Sequence, residues 1–359
     1  MVRVVTAFVA HSVGLVLLTE RELAWFAWTG RAAARMKSRR SPCMNDELFE
    51  HEPRVVVLGG TGFVGEAFAG FWVNSATRPS RYLLHRSRPE WLGSSGTELT
   101  DIDLNDTAQA LNALRGHDVL VSLLRPDGTG WHRDAMERLK PIFRQSGIPR
   151  CIHASSIDVY AGVKHPVVDE DTPPQPISPY ETEHIAVESV MRDSFPEAIV
   201  LRLGAVFGRG GRNLVSLAQE MSRAQQWKIA LRRSLYGARR MHLVSVETVA
   251  RTLVQLSLER TRLGSQVVLV TDDHDPNNNF AFVQDRLAAA FGRSLPVGLT
   301  APRSVLRLLL RLRGIPHGSI DRRFSNTKAS ELGLPSETFA KRLEAYAEHL
   351  ADELGSYAA

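Results

Sequence analysis

Seven consecutive residues, Gly59-Gly60-Thr61-Gly62-Phe63-Val64-Gly65, have the types and spacing of a phosphate cradle. They satisfy G-x-x-G-x-x-G counted from Gly59 and G-x-G-x-x-G counted from Gly60. An apolar stretch leads into them and a helical pattern leads out, the context that gives such a match meaning. Glycines allow a tight turn and let the backbone approach a pyrophosphate, which is held at the helix N-terminus. The chemistry expected is therefore dinucleotide binding. The next strand ends in YLLHRSRP, with no carboxylate to take a ribose 2′-hydroxyl. It carries Arg86 and Arg88 instead, which suit a 2′-phosphate, so NADP is expected over NAD. Asp103, in DIDLND after the third strand, is placed to meet the adenine edge.

Positioning these residues takes strands that alternate with helices. Strands are expected at 54–59, 81–85, 97–101, 118–123, 150–155 and 198–203, and helices at 63–73, 106–115, 131–146, 178–194 and 212–225. That alternation predicts an α/β fold, a Rossmann-type doubly wound parallel sheet covered on both faces. Further strands are expected at 241–246 and 265–271, and helices at 279–292 and 337–353. The stretch 301–314, APRSVLRLLLRLRG, is apolar with four arginines; it reads as a helix over a substrate pocket, or as one lying on a membrane surface.

The chain has 359 residues, 43% of them hydrophobic, enough for one large or two modest domains. Its net charge of +5 resides in residues 1–43, with seven basic and two acidic groups, so the body is neutral. Nothing in the body argues for nucleic acid. Cys43 and Cys151 have no metal-ligand spacing; neither a metal site nor a disulfide framework is expected, and a cytoplasmic location follows. The apolar run 4–18 is short for a membrane span and is broken by His11. Residues 1–50 read as an extension outside the fold, with Met44 as an alternative start.

Several motifs in order resemble the extended short-chain dehydrogenase/reductase family of NAD(P)-dependent epimerases and dehydratases. They are GGTGFVG, DLND, CIHASSIDVYAG (151–162), SPYETEH (178–184), LRLGAVFGRGGRN (201–213) and RRMHLVSVETVA (239–250). The resemblance spans about 54–345. It implies a dinucleotide domain over 54–204, to which 241–272 returns, and a smaller substrate domain from 205–240 and 273–350. It implies a catalytic serine at Ser156, four before Tyr160, and a catalytic tyrosine at Tyr180. The tyrosine would take a proton from a substrate hydroxyl while hydride leaves for nicotinamide, which requires acidification from its ordinary pKa of about 10. His184 stands where the family's Y-x-x-x-K motif has lysine, on the same helix face as Tyr180. Contacts to the cofactor would extend to Leu123, Tyr180 and His184.

Other departures narrow the chemistry. Ser156-Ile157-Asp158 replaces the Thr-Asp-Glu of the family's dehydratases, which argues against a 4,6-dehydratase. Ala205 stands where sugar-nucleotide epimerases place asparagine. Arg212 and Arg240 remain as contacts for an anionic substrate, with Arg239 beside them. The leading reading is an oxidoreductase or epimerase of a small hydroxyl or carbonyl substrate, nucleotide-activated sugars included, with a homodimer left open. One alternative is a dinucleotide-binding regulatory or scaffold protein without turnover, suggested by the missing lysine. Another is a membrane-associated reductase of a lipid-like substrate, suggested by 4–18 and 301–314. A filled space beside Tyr180 would favour the former.

Overall fold

The computed structural model describes residues 47–85, 88–93, 97–295 and 322–356, with single positions 304, 305, 308 and 312. Residues 1–43, Arg86 and most of 301–314 lie outside the described residues.

Seven strands form one sheet: β1 (Val55–Leu58), β2 (Arg81–Leu84), β3 (Glu98–Asp101), β4 (Val119–Ser122), β5 (Arg150–Ser156), β6 (Glu197–Leu203) and β7 (Gln266–Val270). Their order is β7-β6-β5-β4-β1-β2-β3, and every pairing is parallel. Five helices pack on its faces: α1 (Phe63–Trp72), α2 (Thr107–Leu114), α3 (Trp131–Ser146) and α4 (Pro179–Ser194), with α7 (Val246–Leu258) returning beside α1. The alternation of buried side chains explains the two layers. Val55 and Val57 point into one apolar cluster with Phe68 and Trp72, while Val56 and Leu58 point into the other with Met136 and Val187. Strands buried on both faces read as near-continuous apolar runs, VVVL in β1 and VLV before Ser122 in β4.

A third apolar cluster lies in the C-terminal part. It gathers α5 (Val215–Arg223), α6 (Gln226–Tyr236), α8 (Phe280–Ala290) and α9 (Phe339–Ser356) around Phe207, Met221, Leu287 and Phe339.

Three expectations need correction. The fold starts before β1: Phe49 is buried in the first cluster, and the Leu48 and Phe49 amides donate to the Arg260 carbonyl at 2.7 and 3.3 Å. Residues 47–50 therefore belong to the fold. The expected strand 241–246 is only Leu243–Ser245, paired with Ala205–Phe207 outside the main sheet. Ser245 ends it by capping α7, its hydroxyl accepting from the Thr248 amide. The expected helix 212–225 starts at Val215, because Leu214 adopts a left-handed φ of 70°.

Candidate active site

The sheet order reverses between β1 and β4, and a crevice opens at the carboxyl ends of these strands. The glycine-rich turn lies there. Gly59 has φ 76°, and a Cβ on it would fall 2.8 Å from the Leu124 amide nitrogen. A Cβ on Gly65 would fall 1.9 Å from the Gly60 carbonyl oxygen, so α1 rests directly on the turn that precedes it. The buried Tyr82 hydroxyl donates to the Gly65 carbonyl at 2.9 Å and holds that contact. Gly62 differs: it caps α1 with no side chain, and nothing lies within 4 Å of where its Cβ would be. The cradle is tight where protein meets protein and open at the helix N-terminus, which fits a pyrophosphate there. Thr61, Phe63 and Val64 complete this turn and the start of α1, and all three are half-buried.

Beside the cradle, Leu58, Gly59, Leu83, Leu104, His85 and Trp131 line a cavity. The His85 and Trp131 rings stack at 6.4 Å, and His85 Nδ1 donates to the Ile102 carbonyl at 3.2 Å. Arg88 ends in this region but is paired with Asp101 at 2.8 Å, both side chains being largely exposed. Asp103 accepts from the Asn105 amide and side chain at 2.9 and 3.0 Å. Leu123 is half-buried, and its amide donates to the Leu58 carbonyl at 2.8 Å, which fixes the crevice wall.

The segment after β4 joins the cradle to Tyr180. Leu124 abuts Gly59, and a Cβ on Gly128 would fall 3.2 Å from the Tyr180 amide nitrogen. Tyr180 is half-buried in the first turn of α4, which begins with a full capping box between Ser178 and Glu181. Its ring packs edge-to-face on His184, centroids 4.6 Å apart, and the Arg125 guanidinium lies 5.8 Å from its centroid. Ser156 ends β5; its hydroxyl donates to the Asp158 carboxylate at 3.1 Å and accepts from the Asp158 amide at 3.1 Å.

His184 is 2% exposed and faces inward rather than toward solvent. Burial, aided by His153, pushes its pKa down to about 4, so it is neutral. Its Nδ1 lies 3.4 Å from the Ser155 hydroxyl, and its Nε2 is buried without a protein partner. Ser155 donates to Glu188 at 2.6 Å, and Glu188 is paired with Arg202 at 2.7 Å. Burial tends to raise the Glu188 carboxyl, but hydrogen bonds and charge from Arg202 hold it below its ordinary value. Ser155, Glu188 and Arg125 escaped the sequence reading. The spacing of Tyr180, His184 and Glu188, four residues apart along one helix face, was the available signal.

The two arginines expected at the substrate differ. Arg240 donates from Nη1 to the Asp273 carbonyl at 2.8 Å, which ties one guanidinium nitrogen to that loop. Arg212 is exposed, on a loop whose Gly210 and Gly211 abut Phe63 at the start of α1. Among the described residues, no helix is long and apolar enough to cross a membrane.

Residues 55–270 match the family profile described as the NAD dependent epimerase/dehydratase family. No curated protein sequence matches the chain. Among solved structures, the chain is similar to the enzyme WbmG from Bordetella bronchiseptica in complex with NAD, with 16% identity, a TM-score of 0.63, and coverage of 85% of this chain and 96% of that one. It is similar to UDP-glucuronic acid 4-epimerase from Bacillus cereus in complex with UDP-glucuronic acid and NAD, at 17% identity and TM-score 0.61, covering 84% and 99%. The UDP-Glc/GlcNAc 4-epimerase from Campylobacter jejuni is similar at 16% identity and TM-score 0.61, covering 85% and 99%. At these identities the likeness is one of fold.

Proposed function

Because the chain belongs to the NAD dependent epimerase/dehydratase family, we propose that it is an NAD(P)-dependent epimerase or oxidoreductase of a small hydroxyl or carbonyl substrate. Sugar nucleotides, which two of the similar structures name, are the first class to test. The supporting observation is that one short segment, Leu124–Gly128, touches both the cradle at Gly59 and the backbone of Tyr180. The turn that seats a pyrophosphate is thus tied to the hydroxyl that would move a proton.

When bound, the dinucleotide supplies the hydride acceptor or donor. The chain supplies the rest. The N-terminus of α1 at Gly62 holds the pyrophosphate, and His85 and Trp131 flank the adenosine. Tyr180 moves the proton at the reacting oxygen, and Ser156 orients that oxygen once its hydroxyl turns from Asp158. His184 meets the nicotinamide ribose. Arg212 and the third apolar cluster serve the substrate.

The finer reading of NADP over NAD rests on Arg88 alone among the described residues. Its exposed pair with Asp101 is worth about 0–1 kcal/mol, so a 2′-phosphate can compete for it. The test is a titration of the full chain with both dinucleotides, then addition of UDP-sugars while nicotinamide absorbance and sugar configuration are followed. Binding of neither dinucleotide refutes the reading. Binding without turnover of any sugar nucleotide or carbonyl compound moves it toward the non-catalytic alternative.

A further inference from the structure

We propose that Ser155 and Glu188 are positioning residues that fix His184 as the tautomer protonated on Nδ1, so that Nε2 presents a hydrogen-bond acceptor beside Tyr180. The argument is a count of protons. Glu188 is fully buried and accepts two hydrogen bonds from Arg202, at 2.7 and 3.0 Å, so it is an ionised acceptor. Ser155 has one hydroxyl proton, and Glu188 takes it at 2.6 Å. Toward His184 the Ser155 oxygen can therefore only accept, and the 3.4 Å contact requires the proton on Nδ1. In a neutral imidazole the other nitrogen is then a bare lone pair.

The groups that face His184 keep it neutral. Glu183 and Glu188 come from its own helix, His153 from β5, and Arg125 from the segment after β4. Burial, with His153 and the Arg125 cation opposing a charge on the ring, outweighs the carboxylates, and the pKa falls to about 4. Nε2 is buried without a protein partner. A lone pair left so costs free energy unless a donor reaches it. Resting on the function proposed above, that donor is a hydroxyl of the nicotinamide ribose. Lysine at this place could only donate. Here the sense of the hydrogen bond is reversed, and the ribose oxygen is left free to accept from Tyr180.

The test reads the imidazole without cofactor. The full chain, labelled with 15N-histidine, is compared with His184→Gln to assign the His184 resonances at neutral pH. Nδ1 is expected in the protonated range and Nε2 in the unprotonated range. Ser155→Ala keeps the Glu188–Arg202 pair and should shift the population toward the Nε2-protonated tautomer. Glu188→Gln is the second variant and should move it the same way where the amide nitrogen faces Ser155, since that nitrogen donates and leaves the Ser155 proton free. Dinucleotide affinity should fall about fivefold in Ser155→Ala, the worth of one hydrogen bond. A protonated Nε2 in the wild type, or a tautomer unmoved by both variants, overturns the proposal. A wild type that binds no dinucleotide refutes the proposed function instead and leaves the spectral result standing.

Discussion

Gly62→Ala separates the cradle's work from the fold's. Gly62 has φ −88° and ψ 176°, an extended conformation open to any L-residue. No atom lies within 4 Å of the new methyl. Loss of unfolded-chain entropy favours alanine by about 0.4–1 kcal/mol, while alanine's poor capping works against it by a similar amount. Stability in urea should therefore change by less than about 1 kcal/mol. Dinucleotide affinity should drop at least tenfold, about 1.4 kcal/mol, because the methyl occupies the approach to the α1 amides. Gly65→Ala is the control. Its methyl would fall 1.9 Å from the Gly60 carbonyl, and forcing α1 away should cost about 1–3 kcal/mol or more. Equilibrium unfolding and calorimetric titration on both variants decide the matter. If Gly62→Ala binds dinucleotide like the wild type, the open space at α1 is not the pyrophosphate seat.

Tyr180→Phe should abolish turnover and leave dinucleotide affinity within a factor of about two, since the lost hydroxyl serves chemistry rather than the cradle; unchanged turnover would remove Tyr180 from the mechanism. NADP should bind no more than about tenfold tighter than NAD, given the Arg88–Asp101 pair, and Arg88→Ala should erase that margin; a margin that survives the variant would need another source. A chain starting at Met44 should fold and bind dinucleotide, whereas one starting at Arg54 loses Phe49 and its contacts with Arg260 and should melt lower. Between pH 6.5 and 4 the folded chain should lose stability as pH falls. His153 and His184, both near 4 when folded, stay neutral there while their unfolded counterparts take up protons, at up to roughly 3 kcal/mol each. Asp272, raised by burial to about 7, opposes them by one proton. His184→Asn should make the acid loss shallower by about one proton in urea titrations at pH 7 and 5; an unchanged slope would mean that His184 is charged in the fold.

Most of the sheet was legible because strands such as β1, β4 and β6 are buried on both faces and read as largely apolar runs between helical stretches. The cradle was legible because three of its glycines answer to close contacts, at Leu124, Tyr82 and the Gly60 carbonyl. Other parts were hidden for physical reasons. α7 follows its strand without a break, and Ser245 serves both as strand end and as cap, so the stretch read as strand alone. Phe49 sits among charged neighbours, and only its packing against Val55 and the Arg150 guanidinium shows its place in the core. The partners of His184 come from β5 and β6 as well as from its own helix, and strand register, Ser155 opposite Arg202, is what brings them together. The carbonyl that Arg240 Nη1 serves lies 33 residues away, at Asp273, and is not legible from local sequence.

Helix α3 has no cap of its own: Gly130 precedes it with φ 86° and no side chain to offer. Glu183, three residues after Tyr180 and 4% exposed, accepts instead from the Gly128, His132 and Arg133 amides at 2.8, 3.0 and 3.2 Å. The carboxylate that stabilises one helix end thus belongs to the helix that carries the proposed acid-base residue. The two helices are latched at the crevice, and the loop between β4 and α3 cannot change length without dragging Tyr180. Variation in that loop should be read as variation in catalysis rather than in solubility or surface, and the loop's length is a coordinate of the active site.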